Sequence, residues 1–379
     1  MNRKPLSELV KIISGGTPKR SIHEYWNGSI PWISVKDLHQ GKHIYRTERF
    51  ITESGLKNSP TKLLIKDDII ISARGTVGLV SMINEPMAFN QSLFGLRSGK
   101  EITAEYLYYW LKLNVSYIKN NVHGSVFDTI TRDTFNIIEV TYPSLEEQKR
   151  VTEILRLLDK KIEQNHQIND NLLELGSTLW DKYFQFANAD KQQSHLMDLG
   201  DIVAGGTPSK KNEAFYDGGT IPWITPKDLS NATDTVFINQ GKTSITEAGL
   251  SGSSAKLMPA GTVLFSSRAP IGYVAIANNP VTTNQGFKSI VPYDDSKTYY
   301  LYYLLKKLTP HIEVVAGGST FKEISGSGMK SIEFPKPDDV SMSEFATLIR
   351  PMFSFIRENE QEVHRLTELR NVLLSNLLG

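Results

Sequence analysis

The 379-residue chain has no cysteine. That excludes disulfides, thiol nucleophiles and cysteine-ligated metal. It has no run of about 18 uninterrupted apolar residues, so no membrane-spanning helix is expected. The opening segment MNRKPLSEL has no apolar stretch of signal-peptide length, and a cytoplasmic protein is the expectation. Strong net charge is also missing: 42 Lys and Arg oppose 41 Asp and Glu. Hydrophobic residues make up 40% and charged residues 22%, which excludes wholesale disorder and leaves room for two or three packed domains.

The familiar catalytic signatures are absent too. Gly241-Lys242-Thr243 resembles the end of a P-loop, but the position five residues before Gly241 is Val236 instead of the required glycine. No G-x-G-x-x-G follows a strand-like run. His23-Glu24 has no second histidine at zinc-ligand spacing, and the eight histidines are scattered, so no metal site is expected. Asp338-Asp339 reads as favourable charge at a helix N-terminus rather than as nuclease carboxylates. No cofactor and no catalytic activity are expected.

What the chain has instead is a repeat. Gly15-Gly16-Thr17-Pro18 recurs as Gly205-Gly206-Thr207-Pro208. Ile30-Pro31-Trp32-Ile33 and Lys36-Asp37-Leu38 recur as Ile221-Pro222-Trp223-Ile224 and Lys227-Asp228-Leu229. Further on, at a constant shift of 194, Ser72, Arg74 and Gly78 match Ser266, Arg268 and Gly272, and Asn90-Gln91 matches Asn284-Gln285. Tyr106-Leu107-Tyr108-Tyr109 matches Tyr300-Leu301-Tyr302-Tyr303, and Gly124-Ser125 with Phe127 matches Gly318-Ser319 with Phe321. One unit of roughly 185 residues is used twice.

Each unit has two parts. The first mixes short β-branched runs, Gly/Pro/Asn turns and one helical stretch, the pattern of an α+β module. The second is a long helix. Ser144 followed by Glu147 has the spacing of a capping box. A three/four apolar spacing then runs through Val151, Leu155, Leu158, Ile162, Asn165, Ile168, Leu172, Leu175 and Leu179. The second copy runs through Phe345, Leu348, Met352, Ile356, Asn359, Val363, Leu366, Leu369 and Leu373. These stripes predict an antiparallel coiled coil in which Asn165 and Asn359 pair or flank each other as a register device. Pro351 predicts a kink or break in the second helix. Forty helical residues span roughly 60 Å, which would set the modules at opposite ends about an approximate two-fold axis. The expected boundaries are 1–143 and 188–337 for the modules, and 144–187 and 338–379 for the helices.

Charge follows the same division. Residues 1–144 carry 18 Lys and Arg against 13 Asp and Glu, and residues 191–337 carry 14 against 12. The helical segments 145–190 and 338–379 reverse this, at 6 against 9 and 4 against 7.

The order module–helix–module–helix, with GGTP…IPWI…KDL…S-x-R…NQ…GS-x-F in each module, resembles the specificity subunit of type I restriction–modification enzymes over essentially the whole chain. The resemblance implies a non-catalytic DNA reader. Each module would read one half of an asymmetric bipartite site in double-stranded DNA. The helices would set the spacing and dock methyltransferase (modification) subunits, two being expected, and restriction (endonuclease/translocase) subunits would join through the complex. No membrane role is implied. The alternative is a coiled-coil scaffold carrying two protein-binding modules without a DNA role.

A reader needs cationic phosphate anchors and a few side chains at base edges. The candidates are Lys19, Arg20, Lys36, Arg46, Arg49 and Arg74 in the first copy, and Lys210, Lys211, Lys227, Lys242 and Arg268 in the second. Residues shared by both copies are expected to be scaffold, because two half-sites normally differ. Trp32 and Trp223 are expected in the core, the paired glycines at tight backbone approaches, and Asn90-Gln91 with its copy satisfying buried backbone. Arg74 and Arg268 are the best shared phosphate candidates, against an ion-pair alternative. Base readers are expected where the copies differ, in 39–49 against 230–244, and then in 19–24 against 209–214.

Overall fold

The computed structural model describes residues 1–378 except 121–128, 185–191, 233–234, 269 and 319–321. The recurring Gly124-Ser125, Phe127, Ser319 and Phe321 lie outside the described residues. Four helices organise the architecture: α1 (Ala104–Leu113), α2 (Leu145–Tyr183), α3 (Lys297–Val315) and α4 (Asp339–Leu378). By compactness the chain divides into a first unit, Met1–Ile162 with Arg365–Gly379, and a second, Glu163–His364. Each unit therefore holds one module and a stretch of both long helices.

In the first unit the β-branched run at 69–72 is buried along its whole length and forms the middle of an antiparallel sheet. Its order is Val10–Ser14, Leu93–Ser98, Ile69–Ser72, Val80–Met82. A second sheet runs Arg49–Ile51, Trp26–Ile33, Met87–Phe89, Leu63–Leu64, with the Trp26–Ile33 and Met87–Phe89 strands parallel. Helix α1 starts at Thr103, whose hydroxyl accepts the Tyr106 N–H, as Thr is favoured to do at an N-cap. It buries Tyr106, Leu107, Tyr109 and Leu111 against the first sheet, together with Val151 and Leu155 of α2 and Leu374 of α4.

The second unit repeats the plan with small changes. Its larger sheet runs Gly200–Ala204, Lys288–Pro292, Val263–Ser267, Ile271–Ala277, Phe237–Ile238. Its smaller sheet joins Thr243–Ile245, Ile221–Ile224 and Thr282–Thr283. Helix α3 packs its tyrosines on Trp180 and Phe184 from one side and Phe345, Ile349 and Phe353 from the other. The α+β double-module architecture with paired long helices is thus the one the repeat implied.

The long helices run antiparallel. In the second unit Asn165 meets Glu362, Asn169 meets Asn359 and Phe184 meets Phe345. In the first, Arg370 Nη1 lies 2.9 Å from Asp159 Oδ1. Ser144 begins α2, its hydroxyl accepting the Glu147 N–H at 3.4 Å.

Two expectations are corrected, and the asparagines take the second of their two expected arrangements. Asn359 donates to Asn169 Oδ1 at 2.8 Å rather than to Asn165, which donates to Glu362 at 2.7 Å, so the asparagines flank each other one turn apart. Leu175, Leu348 and Leu369 are about half exposed instead of lying in the seam. The buried stripe of α2 passes through Asn165, Asn169, Gly176 and Trp180, because α2 buries a face against its module, Gly176 on Tyr303 and Trp180 in the core, as well as against its partner helix. Finally, Pro351 does not break α4, which runs unbroken through it. Pro351 and Thr347, whose carbonyl loses its partner, both lie on the exposed face, where water can hydrate the free oxygen. The opposite face is fixed by buried Phe345, Ile349, Phe353 and Ile356.

Candidate nucleic-acid interface

The repeated motif is spent on holding loops. In the first unit Gly16 N–H donates to Phe89 O at 2.9 Å, and the buried Trp32 indole donates to Gly16 O at 3.2 Å. In the second, Gly206 donates to Thr283 O at 2.9 Å and Trp223 to Gly206 O at 2.9 Å. A Cβ on Gly15 or Gly205 would overlap the carbonyl oxygen of Asn90 or Asn284, so no other residue fits there. Thr17 is hydrogen bonded to Gln91, and Thr207 to Gln285. Asn90 Oδ1 accepts from Ser92 N–H and Asn284 Oδ1 from Gly286 N–H, both at 2.9 Å.

The shared Lys-Asp-Leu works the same way. Asp37 Oδ2 accepts from the backbone and hydroxyl of Ser34, and its Oδ1 accepts from Glu48 N–H at 3.0 Å. Asp228 does this for Thr225 and for Lys242 N–H. The carboxylate thus staples the start of each variable loop to its end. Sequence reasoning finds the motif without this role; the signal is an Asp three residues after Ser34 or Thr225, the capping-box spacing.

Around these staples the cationic side chains project outward. Lys19, Arg20, Lys36, Arg46, Arg49 and Arg74 are exposed in the first unit, and Lys210, Lys211, Lys227 and Lys242 in the second. The first unit's loops meet at Asn90-Gln91. Asn90 N–H reaches Ile33 O beside the Lys36 turn, Ala73 N–H reaches Ser92 O beside Arg74, and Gln91 reaches Thr17 beside Lys19. The second unit joins the Arg268 turn through Ser267 N–H to Gly286 O at 2.7 Å. Arg74 has no ion-pair partner among the described residues. Arg268 does: Glu323 Oε2 lies 3.3 Å from its Nη1, and Lys288 Nζ is 3.5 Å from the same carboxylate.

Not every residue of the variable loop faces out. Gln40 closes it from within, accepting the Tyr45 and Arg46 N–H groups at 3.1 Å and donating to Arg46 O at 2.6 Å. Lys42 turns inward toward the helices. Of the second loop, 233–234 lie outside the described residues.

Among the described residues no cluster of His, Asp and Glu is arranged to hold a metal, and no helix is long and apolar enough to cross a membrane. Two stapled modules presenting cationic loops, each packed on paired long helices, define a recognition protein built by duplication.

The comparisons give the family. A family model for the type I restriction modification DNA specificity domain matches residues 1–174 and again 188–362, so the chain belongs to that family, whose members recognise DNA and are not themselves catalysts. The MjaIX specificity subunit of Methanocaldococcus jannaschii is 43% identical over 175 residues, which are 46% of this chain and 40% of that relative. The HindI specificity subunit of Haemophilus influenzae is 26% identical over 332 residues, covering 68% of this chain and 72% of that one. In structure, the S subunit of a type I restriction–modification system from M. genitalium aligns with TM-score 0.60 at 16% identity, over 100% of this chain and 96% of that one.

Proposed function

We propose that this chain is the DNA-reading subunit of a type I restriction–modification complex in the cytoplasm. Modules at 1–143 and 188–337 each read one half of an asymmetric bipartite site in double-stranded DNA. The helical segments 144–187 and 338–379 space them and dock the modification subunits, through which restriction subunits join. The observation that carries this reading is the division of labour in each loop cluster. Matching residues hold the backbone, while exposed cations sit largely where the copies differ, such as Lys19-Arg20 against Lys210-Lys211. Two readers built on one scaffold suit a site whose halves differ.

The helices support a second element of the reading. Ile154 and Leu348, equivalent in the repeat, are both 47% exposed, and Leu175 and Leu369 are 51% and 48% exposed. Duplicated exposed apolar positions suit two copies of one partner. The experiment is retention of genomic fragments by this chain together with its modification subunit. Sequence-dependent retention supports the reading; its absence at every salt concentration favours a protein scaffold instead.

Arg74 tests the anchor assignment. Arg74→Ala is expected to weaken binding about equally for all sequences and to lower the slope of log K against log salt by about 0.9, the share of one phosphate contact. Titrations at several salt concentrations measure this. An altered sequence preference would make Arg74 a base reader instead.

A further inference from the structure

The two variable loops pass through the same structural place. Met82 N–H donates to Lys42 O at 2.7 Å, and Ile276 N–H to Val236 O at 2.8 Å. Met82 and Ile276 are equivalent at the shift of 194, and so are Lys42 and Val236. Past this point, however, the copies use different chemistry to reach the helices.

In the first unit Lys42 carries the connection. Its side chain is only 10% exposed, and its Nζ lies 2.6 Å from Glu105 Oε2 on α1 and 3.7 Å from Asp159 Oδ2 on α2. The ammonium also donates to Tyr109 OH at 3.1 Å and sits 4.7 Å from that ring's centre. Asp159 is fixed in turn by Tyr109 OH at 2.5 Å and by Arg370. In the second unit Val236 has no charge to offer, and the position equivalent to Asp159 is Phe353. The helix instead supplies Glu360, two turns further along α4. Its carboxylate accepts the Val236 N–H at 2.5 Å and the Phe237 N–H at 3.1 Å.

From this we infer that Asp159 and Glu360 are positioning residues, each clasping the variable loop of its own module to the helix that follows that module. The inference rests on the reading of these loops as DNA readers. A base-reading side chain must be held to about half an ångström, and non-directional apolar anchors such as Ile44 and Val236 do not by themselves fix a loop's orientation so closely. Helix carboxylates supply it, through directed bonds from the Val236 and Phe237 N–H groups to Glu360 and through an ion pair of Lys42 with Asp159, beside its shorter bond to Glu105. The same place in the fold clasped by unrelated chemistry in each copy marks the tether, rather than any one residue, as what the fold retains.

The Glu360 carboxyl adds a pH signature. Burial pushes it up to about 7, against the pull of both backbone N–H groups and of Arg357. From α3 it faces Tyr302, whose hydroxyl accepts from Lys306 Nζ at 3.2 Å and whose own pKa is raised, chiefly by burial. A raised carboxyl contributes stability that is full below its ordinary range, near 4.5, and is lost as pH rises through about 7. The amides of 236–237 are expected to lose protection across that window in the wild-type chain, and Glu360→Gln is expected to flatten the dependence.

The decisive experiment uses the full chain with its modification subunit and three duplexes: the intact site, and the site with either half scrambled. Lys42→Met is expected to cut discrimination at one half by about tenfold, the scale of one misread base pair, leaving the other half unchanged. Glu360→Ala is expected to do the reverse. Lys42→Arg and Glu360→Gln are expected to restore most of the loss. Equal loss at both halves, or unchanged discrimination, overturns the inference. Amide exchange is the second readout and needs no DNA. Faster exchange at 236–237 in Glu360→Ala, with the sheet of the second unit still protected, supports the clasp, and unchanged exchange overturns it. If the wild-type chain discriminates among no duplexes, the DNA reading fails while amide exchange still judges the clasp.

Discussion

Moving the two halves of the DNA site one base pair closer together or further apart is expected to abolish specific retention by the complex. On the proposed reading each module alone, with few exposed cations, binds its half-site weakly. Linking two weak readers raises the effective concentration of the second only when geometry lets both engage. One base pair changes the separation by about 3.4 Å and the rotation by roughly a tenth of a turn. A flexible connection would absorb that. On the proposed reading the helical segments 144–187 and 338–379 do not absorb it. Affinity is therefore expected to fall to the non-specific level, a change of about 10³-fold or more. Binding titrations over duplexes with lengthened and shortened spacers measure it. Equal binding across spacer lengths would show that the helices do not act as a ruler.

Phe353→Ala is expected to destabilise the second unit by about 3–5 kcal/mol, the range for removing a buried phenylalanine ring. Phe353 is fully buried, with its ring 4.4 Å from Tyr299, 5.5 Å from Tyr302 and 5.8 Å from Tyr303 between centres. Phe237, within the variable loop, edges onto it at 6.2 Å. The substitution thus removes the wedge between helix, tyrosine row and loop. Denaturant unfolding of the full chain, followed through Trp180 and Trp223, measures the loss. A change below about 1 kcal/mol would mean that the cluster collapses around the gap and that the ring is not what joins α4 to the module.

Much of this fold is legible in the residues, and the parts that are not have identifiable causes. The repeat, the two long helices and the Ser144 start follow from local pattern, because capping and apolar spacing act over a few residues. The scaffold role of Trp32, Gly15 and Asn90 follows from their sharing by both copies. Apolar spacing alone misplaces the seam at Leu175, Leu348 and Leu369, because each helix buries a face against its own module as well as against its partner helix. A heptad template cannot register that second contact. Pro351 disrupts less than its residue type suggests, because its cost depends on which face it occupies. The clasps are invisible in the sequence because Lys42 meets Asp159 across 117 residues and Val236 meets Glu360 across 124. Neither pair has a counterpart at the equivalent positions of the other copy. Arg268 shares its sequence pattern with Arg74; its pairing with Glu323 across 55 residues is equally out of reach of the sequence.

The central claim is that this chain selects the DNA sequence that its complex modifies. Methylome sequencing of host cells with and without the chain tests it most directly. The account predicts one modified motif, with two unlike halves separated by an unread spacer of fixed length, that disappears when the chain is removed. A methylome that is the same in both strains would contradict it.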